Sequence, residues 1–168
     1  RDQRVAEAGA LLPMGQWFGG RSVPMGAVAA VGVPPEARGS GAARGLMRGI
    51  LAELRERGVP LSALYATTQR LYRSVGYEPA GLRVRYRVLA RALERLRPEL
   101  PVRPSRPPDV ATLADLHRRR AATANGHLDR SSAIWWRLLH QPGRPVYAYL
   151  FGDPPEGFVL YRHREAGS

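Results

Sequence analysis

Residues 27–54, AVAAVGVPPEARGSGAARGLMRGILAEL, constrain the fold more than any other stretch. Ala27–Val33 is short, apolar and bounded by turn signals, which predicts a buried strand. Pro34 and Pro35 end it, and a glycine-rich turn containing Arg38 follows. From Ala43 the apolar residues are Ala43, Leu46, Met47, Ile50, Leu51 and Leu54. That spacing places them on one face of a helix. Glu53 and Arg57 can pair on its polar side; Gly58 stops the helix and Pro60 follows. LSALYA at 61–66 reads as a second strand. TTQRLYRSVG holds a short helix with Thr67 or Thr68 as its cap. VRYRVL at 84–89 alternates and reads as a third strand. The order strand, helix, strand, helix, strand predicts an α/β fold whose first two strands are parallel.

The turn between strand and helix suits an anion. The first helical turn leaves backbone N–H groups unpaired, and they carry partial positive charge. Gly39 and Gly41 let a ligand approach the backbone, and Arg38 adds a fork of donors. Arg44 stands in the first helical turn, where a cation opposes the helix dipole and a carboxylate would be preferred. A bound anion removes that conflict. A glycine-rich turn of purely structural purpose has the same spacing. The stretch lacks the Lys-Ser/Thr of a P-loop and does not spell the dinucleotide fingerprint.

Composition narrows the rest. The chain has 168 residues and a 44% hydrophobic fraction, enough for one ordinary domain or two small ones. It contains no cysteine, which excludes disulfides and thiolate metal sites and fits a cytoplasmic setting. No apolar run is long enough to span a membrane, and no secretory signal opens the chain. The net charge of +12 would ordinarily point to nucleic acid. All 26 basic residues are arginine, however, and Asn occurs once, at Asn125. With Ala, Gly and Pro abundant, this is the signature of a GC-rich genome. No nucleic-acid recognition motif accompanies the charge, so that reading is disfavoured.

Away from the turn, residues 5–12 read as a strand or the end of one, and 13–26 as a loop by composition. Five prolines in 97–109 exclude regular helix there. Residues 97–108 are read as a linker, with PVRPS as a possible extended start of the next element. Residues 109–124 read as a helix with Asp109 as cap, and SSAIWWRLLH as another, capped by Ser131 or Ser132. One of Trp135 and Trp136 is expected in a core, the other half-covering the surface. VYAYLF and GFVLYRHR read as two strands joined by a hairpin through GDPPE. The expected organisation is therefore 1–96, a linker at 97–108, and 109–168. An abrupt start at Arg1 and a short second half lead to the expectation of a fragment. His117, His127, His140 and His163 show no ligand spacing, so no metal is expected.

Arg38-Gly39-Ser40-Gly41-Ala42-Ala43 resembles the Arg/Gln-x-x-Gly-x-Gly/Ala signature of the GNAT acetyltransferases. LYRSVGYEPAG at 71–81 is similar to the GNAT element in which a tyrosine precedes a Gly-aromatic pair. Taken with QWFGGRSVPMGAVAAVGVPPEARGSG, it resembles the Eis (enhanced intracellular survival) branch. The likeness covers residues 5–89. Residues 102–164 look like the opening half of a second, degenerate GNAT domain.

The resemblance implies a GNAT fold, a mixed sheet with flanking helices, and acetyl-CoA as co-substrate. It assigns the pyrophosphate to Arg38, Gly39, Ser40, Gly41, Ala42, Ala43 and Arg44. The pantetheine arm falls to the strand end Val31-Gly32-Val33, and Thr67 to a position near it. Backbone N–H near Val33 becomes the donor to the thioester oxygen. Tyr72 becomes the acid for the leaving thiolate, and Tyr77 a structural residue. Glu36 and Glu7 are candidate bases without support, and Trp17 and Phe18 are placed on the acceptor side.

The implied activity is acetylation of a primary amine: an aminoglycoside, a polyamine or a lysine side chain. The parent chain is expected to be a homo-oligomer with no membrane partner. Eis-like chains also carry N-terminal acceptor elements and a C-terminal carboxylate that residues 1–168 do not supply. A CoA-binding fragment without catalysis is therefore the second reading, and a basic nucleic-acid binder the third.

Overall fold

The computed structural model describes residues 7–163 except Pro98 and Arg144. Its contacts divide the chain into two compact units. The first runs to Gly81 and takes in Ala124–Asp129; the second holds Leu82–Thr123 and the residues from Arg130 onward.

In the first unit, strand β1 (Ala8–Phe18) and strand β2 (Arg21–Gly32) form an antiparallel hairpin. The loop expected at 13–26 is thus mostly strand. Its turn signal belongs to Gly19 and Gly20 alone, which close the hairpin at φ 55° and 74°. The prolines that suggested a loop stand opposite glycines: Pro13 faces Gly26, and Pro24 faces Gly15. The strand expected at 5–12 begins at Ala8 in the structure, and its first two residues lie outside the described ones.

Helix α1 (Ala42–Glu56) follows, and it buries Met47, Ile50 and Leu54 as the spacing requires. Glu53 and Arg57 pair at 2.5 Å. Val59 N–H returns to the Leu54 carbonyl at 2.9 Å, with Gly58 at φ 66° completing the stop. Strand β3 (Leu61–Leu64) then pairs parallel to β2, and helix α2 (Gln69–Arg73) follows. Thr68 takes the position before α2 with extended backbone, but its side chain makes no cap bond. The core of this unit is Val28, Met47, Ile50, Leu54 and Tyr72, with Leu11, Val31 and Leu64 packed against it.

The strand expected at 84–89 is absent. Residues 77–89 carry no helix or strand, and no described strand lies in register beside them. Alternation supplies a strand's two faces, but the backbone still needs a ladder partner.

The second unit opens with strand β4 (Val102–Pro104), within the proline-rich stretch. Helix α3 (Val110–Ala122) follows. Asp109 does not cap it. Its carboxylate turns back, accepting from Arg103 Nη1 and Nη2 at 2.8 and 3.0 Å and from Arg106 N–H at 2.8 Å. Those donors hold the Asp109 carboxyl at about 2, the Arg103 bond contributing most.

Strand β5 (Leu128–Asp129) crosses to the first unit and pairs with β1, giving that sheet the order β3-β2-β1-β5. Helix α4 (Ser132–Leu139) returns to the second unit, followed by the hairpin of β6 (Tyr147–Phe151) and β7 (Gly157–Tyr161). Its sheet order is β4-β6-β7. Leu113, Leu116, Trp135 and Leu150 form its core. Trp135 is 4% exposed and Trp136 64%, so the two tryptophans divide between core and surface.

Candidate active site

Parallel pairing between β2 and β3 covers Met25–Val28 against Leu61–Leu64. Strand β2 continues to Gly32 with no described partner on that side. Its register against β1 also shifts here: Ala8 pairs with Gly32, but Ala10 pairs with Ala29. Two residues of β2 thus oppose one of β1, a bulge. Ala30 sits in it at φ 52°, the sole non-glycine residue with positive φ among those described. A Cβ-bearing residue pays for that conformation, and such strain concentrates at functional sites. The GNAT resemblance implies a bulge at this strand end; alanine itself gives no bulge signal.

The turn after β2 is built in layers. Pro35–Ala37 form one 3₁₀ turn. Arg38 N–H donates to the Pro35 carbonyl at 3.2 Å, and Ser40 N–H to Ala37 at 3.4 Å. Ser40 Oγ donates to the Ala37 carbonyl at 2.7 Å and accepts from Ala42 N–H at 3.3 Å. Gly39 and Gly41 take φ 83° and 89°, and a Cβ on either would meet nothing within 4 Å. Gly41 is the N-cap, and Gly45 N–H is the first to reach back, to its carbonyl. Among the described residues the amides of Gly39, Gly41, Ala43 and Arg44 have no acceptor.

No acidic residue stands in that first turn. Arg38 and Arg44 are exposed and pair with no carboxylate among the described residues. The structure therefore gathers unpaired amides and two arginines at the positive end of α1, as an anion requires. Val31, Gly32 and Val33 lead directly into this turn.

Tyr72 belongs to the core of the same unit. It is 6% exposed, and its ring belongs to the core with Val28 and Met47. Tyr77 meets it edge-on, ring centroids 6.2 Å apart. Tyr77 Oη and Ser62 Oγ are 2.5 Å apart, and Ser62 Oγ also donates to the Gly26 carbonyl at 3.1 Å. Burial pushes the Tyr77 phenol above its ordinary range against the Ser62 bond. Thr67 is exposed, one residue before the α2 cap. Glu36 is exposed in the 3₁₀ turn.

A shallow cavity of about 420 Å³ opens beside Leu54, Gly58, Val59 and Ser62. It lies at the C-terminal end of α1, about 20 Å along a helix of this length from the anion turn. It is not the site the turn defines.

Residues 124–129 were not recognised as part of the first unit. Trp17 N–H donates to the His127 carbonyl and Gly126 N–H to the Trp17 carbonyl, both at 2.8 Å. Gln16 Nε2 reaches the Gly126 carbonyl, and Ser22 Oγ the Asp129 carboxylate at 2.6 Å. Asn125-Gly126 signalled only a turn. Among the described residues no cluster of His, Asp or Glu could hold a metal, and no helix is long and apolar enough to cross a membrane.

Residues 1–80 match the family described as "Acetyltransferase (GNAT) domain". This stretch is a GNAT acetyltransferase domain. Solved GNAT structures share the α/β architecture of mixed sheet and flanking helices. The GCN5-related N-acetyltransferase from Anabaena variabilis matches with a TM-score of 0.86 at 38% identity, over 99% of this chain and 44% of its own. The GCN5-related N-acetyltransferase from Kribbella flavida matches with 0.78 at 32%, over 98% and 41%. Eis1 from Mycobacterium abscessus matches with 0.71 at 25%, over 98% and 43%. The chain thus spans less than half the length of each. No curated protein sequence matches it. The signature residues Arg38–Ala43 lie in the turn after β2 and the first residues of α1.

Proposed function

We propose that the protein is an N-acetyltransferase of the Eis-like kind, moving an acetyl group from acetyl-CoA to a primary amine. The observation that carries this reading is the edge of β2 left open beyond Val28, followed at the first turn of α1 by the amides of Gly39, Gly41, Ala43 and Arg44, which have no acceptor among the described residues. Acetyl-CoA supplies a thioester to be broken and a pyrophosphate to be held. Arg38, Arg44 and the amides of Gly39, Gly41, Ala43 and Arg44 would hold the pyrophosphate. The free edge at Val31–Val33 would take the amide-bearing arm as an added strand. A backbone N–H near Val33 would polarise the thioester carbonyl.

The amine nitrogen forms the new bond to carbon as the carbon–sulfur bond breaks. Tyr72 would give its phenolic proton to the departing sulfur and recover one from the amine through solvent. An aminoglycoside, a polyamine or a lysine side chain each offers such an amine. The Eis-like reading rests on LYRSVGYE and on the likeness to Eis1; it extends to the second unit as a degenerate GNAT domain.

One observation favours a second reading, CoA binding without this acid. The Tyr72 ring is core-packed, as a purely structural tyrosine would be. Tyr72→Phe separates the two, because it keeps the ring and removes the hydroxyl. Turnover should fall about 10²–10⁴-fold with acetyl-CoA affinity nearly unchanged. Intact turnover would remove Tyr72 from the chemistry.

A further inference from the structure

Tyr72 stands on a helix that cannot hold it alone. Helix α2 has five residues, and Thr68 before it makes no side-chain cap bond. A helix so short is not stable by itself. The chain after α2 turns back onto it. Val75 N–H and Tyr77 N–H both donate to the Tyr72 carbonyl at 3.1 Å, and Gly76 between them takes φ 98°. The Tyr77 ring then meets the Tyr72 ring edge-on.

The Tyr77 phenol ties this turn to the sheet. Its Oη lies 2.5 Å from Ser62 Oγ on β3, and Ser62 Oγ donates to the Gly26 carbonyl of β2 at 3.1 Å. A serine hydroxyl has a single proton to give. With that proton directed at Gly26, Ser62 Oγ accepts from Tyr77. The hydrogen bonds therefore run from the Tyr77 phenol through Ser62 to the backbone of β2. Gly26 and Ser62 face each other in the parallel ladder, two residues before Val28 and Leu64, where the described pairing ends. The anchor thus sits where β2 and β3 are still joined, just before β2 runs on alone. Packing would not require these two hydroxyls, because an apolar pair of similar shape is close to neutral for stability. On the reading of Tyr72 as the acid, we propose that Ser62 and Tyr77 are positioning residues for acetyl transfer, their hydrogen bond fixing the Tyr72 phenol relative to the open end of β2.

Ser62→Ala, Tyr77→Phe and the two combined test this. Turnover is read with acetyl-CoA and whichever of spermidine, an aminoglycoside and a lysine peptide is acetylated fastest. In each variant kcat should fall at least about tenfold, as small misplacements of a catalytic group do, with acetyl-CoA affinity in calorimetry unchanged. In a Tyr72→Phe background the same substitutions should lower kcat no further. The combined variant loses donor and acceptor together and should melt close to the wild type, so its lost turnover is not misfolding. Hydrogen exchange gives a readout that needs no turnover. The Val75 and Tyr77 amides should exchange about fivefold faster in Ser62→Ala, the measure of one neutral hydrogen bond, with the Ile50 amide unchanged. Unchanged exchange at Val75 and Tyr77 would overturn the proposal. So would equal losses of kcat with and without the Tyr72 hydroxyl, the mark of a purely structural pair. Turnover that survives Tyr72→Phe would overturn it through the reading beneath; accelerated exchange would then persist, which tells that failure from the loss of the anchor.

Discussion

Val28 pairs with Leu64, and it is the last residue of β2 with a partner on β3. Beyond it β2 runs on to Gly32, bulged at Ala30 and open on one side. The turn and α1 follow immediately, so the open strand edge leads into a helix N-terminus where the amides of Gly39, Gly41, Ala43 and Arg44 have no acceptor among the described residues. Met47, Ile50 and Leu54 fix that helix to the sheet through the core they share with Val28.

Gly41 tests the turn itself. A Cβ there meets no atom, so the cost of replacement lies in the backbone alone. Gly41→Ala at φ 89° should cost about 1–2 kcal/mol. For a chain of this size that lowers Tm by about 2–8 °C. An unchanged Tm in calorimetry would mean the turn relaxes into another conformation.

Tyr77 predicts a pH dependence. Its folded-state pKa is raised, first by burial, so the neutral phenol is the form the fold prefers. The stability it contributes is complete below its ordinary value of 10.0 and is lost as pH rises through the higher folded value. Tyr77→Phe should flatten that alkaline loss while lowering stability near neutral pH through the missing Ser62 bond. Denaturant titrations at pH 7, 10 and 11 measure both effects. Parallel curves for the two proteins would show that Tyr77 does not titrate with unfolding.

Much of the GNAT domain was legible because its signals are local. The apolar period of α1, Gly58 as a stop, and the parallel order of β2 and β3 follow from neighbouring residues. The turn before α1 was legible for the same reason, through Gly39 and Gly41. The hairpin at 8–32 was misjudged because proline and glycine speak for turns, while tolerance of Pro13 and Pro24 depends on the glycines opposite them. The Ala30 bulge is set by register between two strands, which no single residue encodes. The strand expected at 84–89 failed for the converse reason: its pattern is local, but a ladder needs a partner. The β5 crossing joins residues over a hundred positions apart, beyond the reach of periodicity.

That crossing yields its own prediction. Asp129→Ala removes the acceptor of Ser22 Oγ and should loosen the whole 124–129 segment. Exchange at the Trp17 and Gly126 amides should accelerate about tenfold or more, the measure of a hydrogen bond to a charged group. Exchange at Met47 and Ile50 in α1 should stay unchanged. Equal acceleration in α1 would mean that the segment supports the whole unit rather than the hairpin edge.

The central claim is that the β2 end and the 34–44 turn hold acetyl-CoA. Calorimetric titration of acetyl-CoA into the wild-type protein and Arg38→Ala tests it most directly. Charge-assisted hydrogen bonds contribute about 1.5–3 kcal/mol. Saturable binding by the wild type, weakened about tenfold or more in Arg38→Ala with its melting temperature unchanged, is the predicted result. Equal affinity in the two proteins, or no binding by either, would contradict the account.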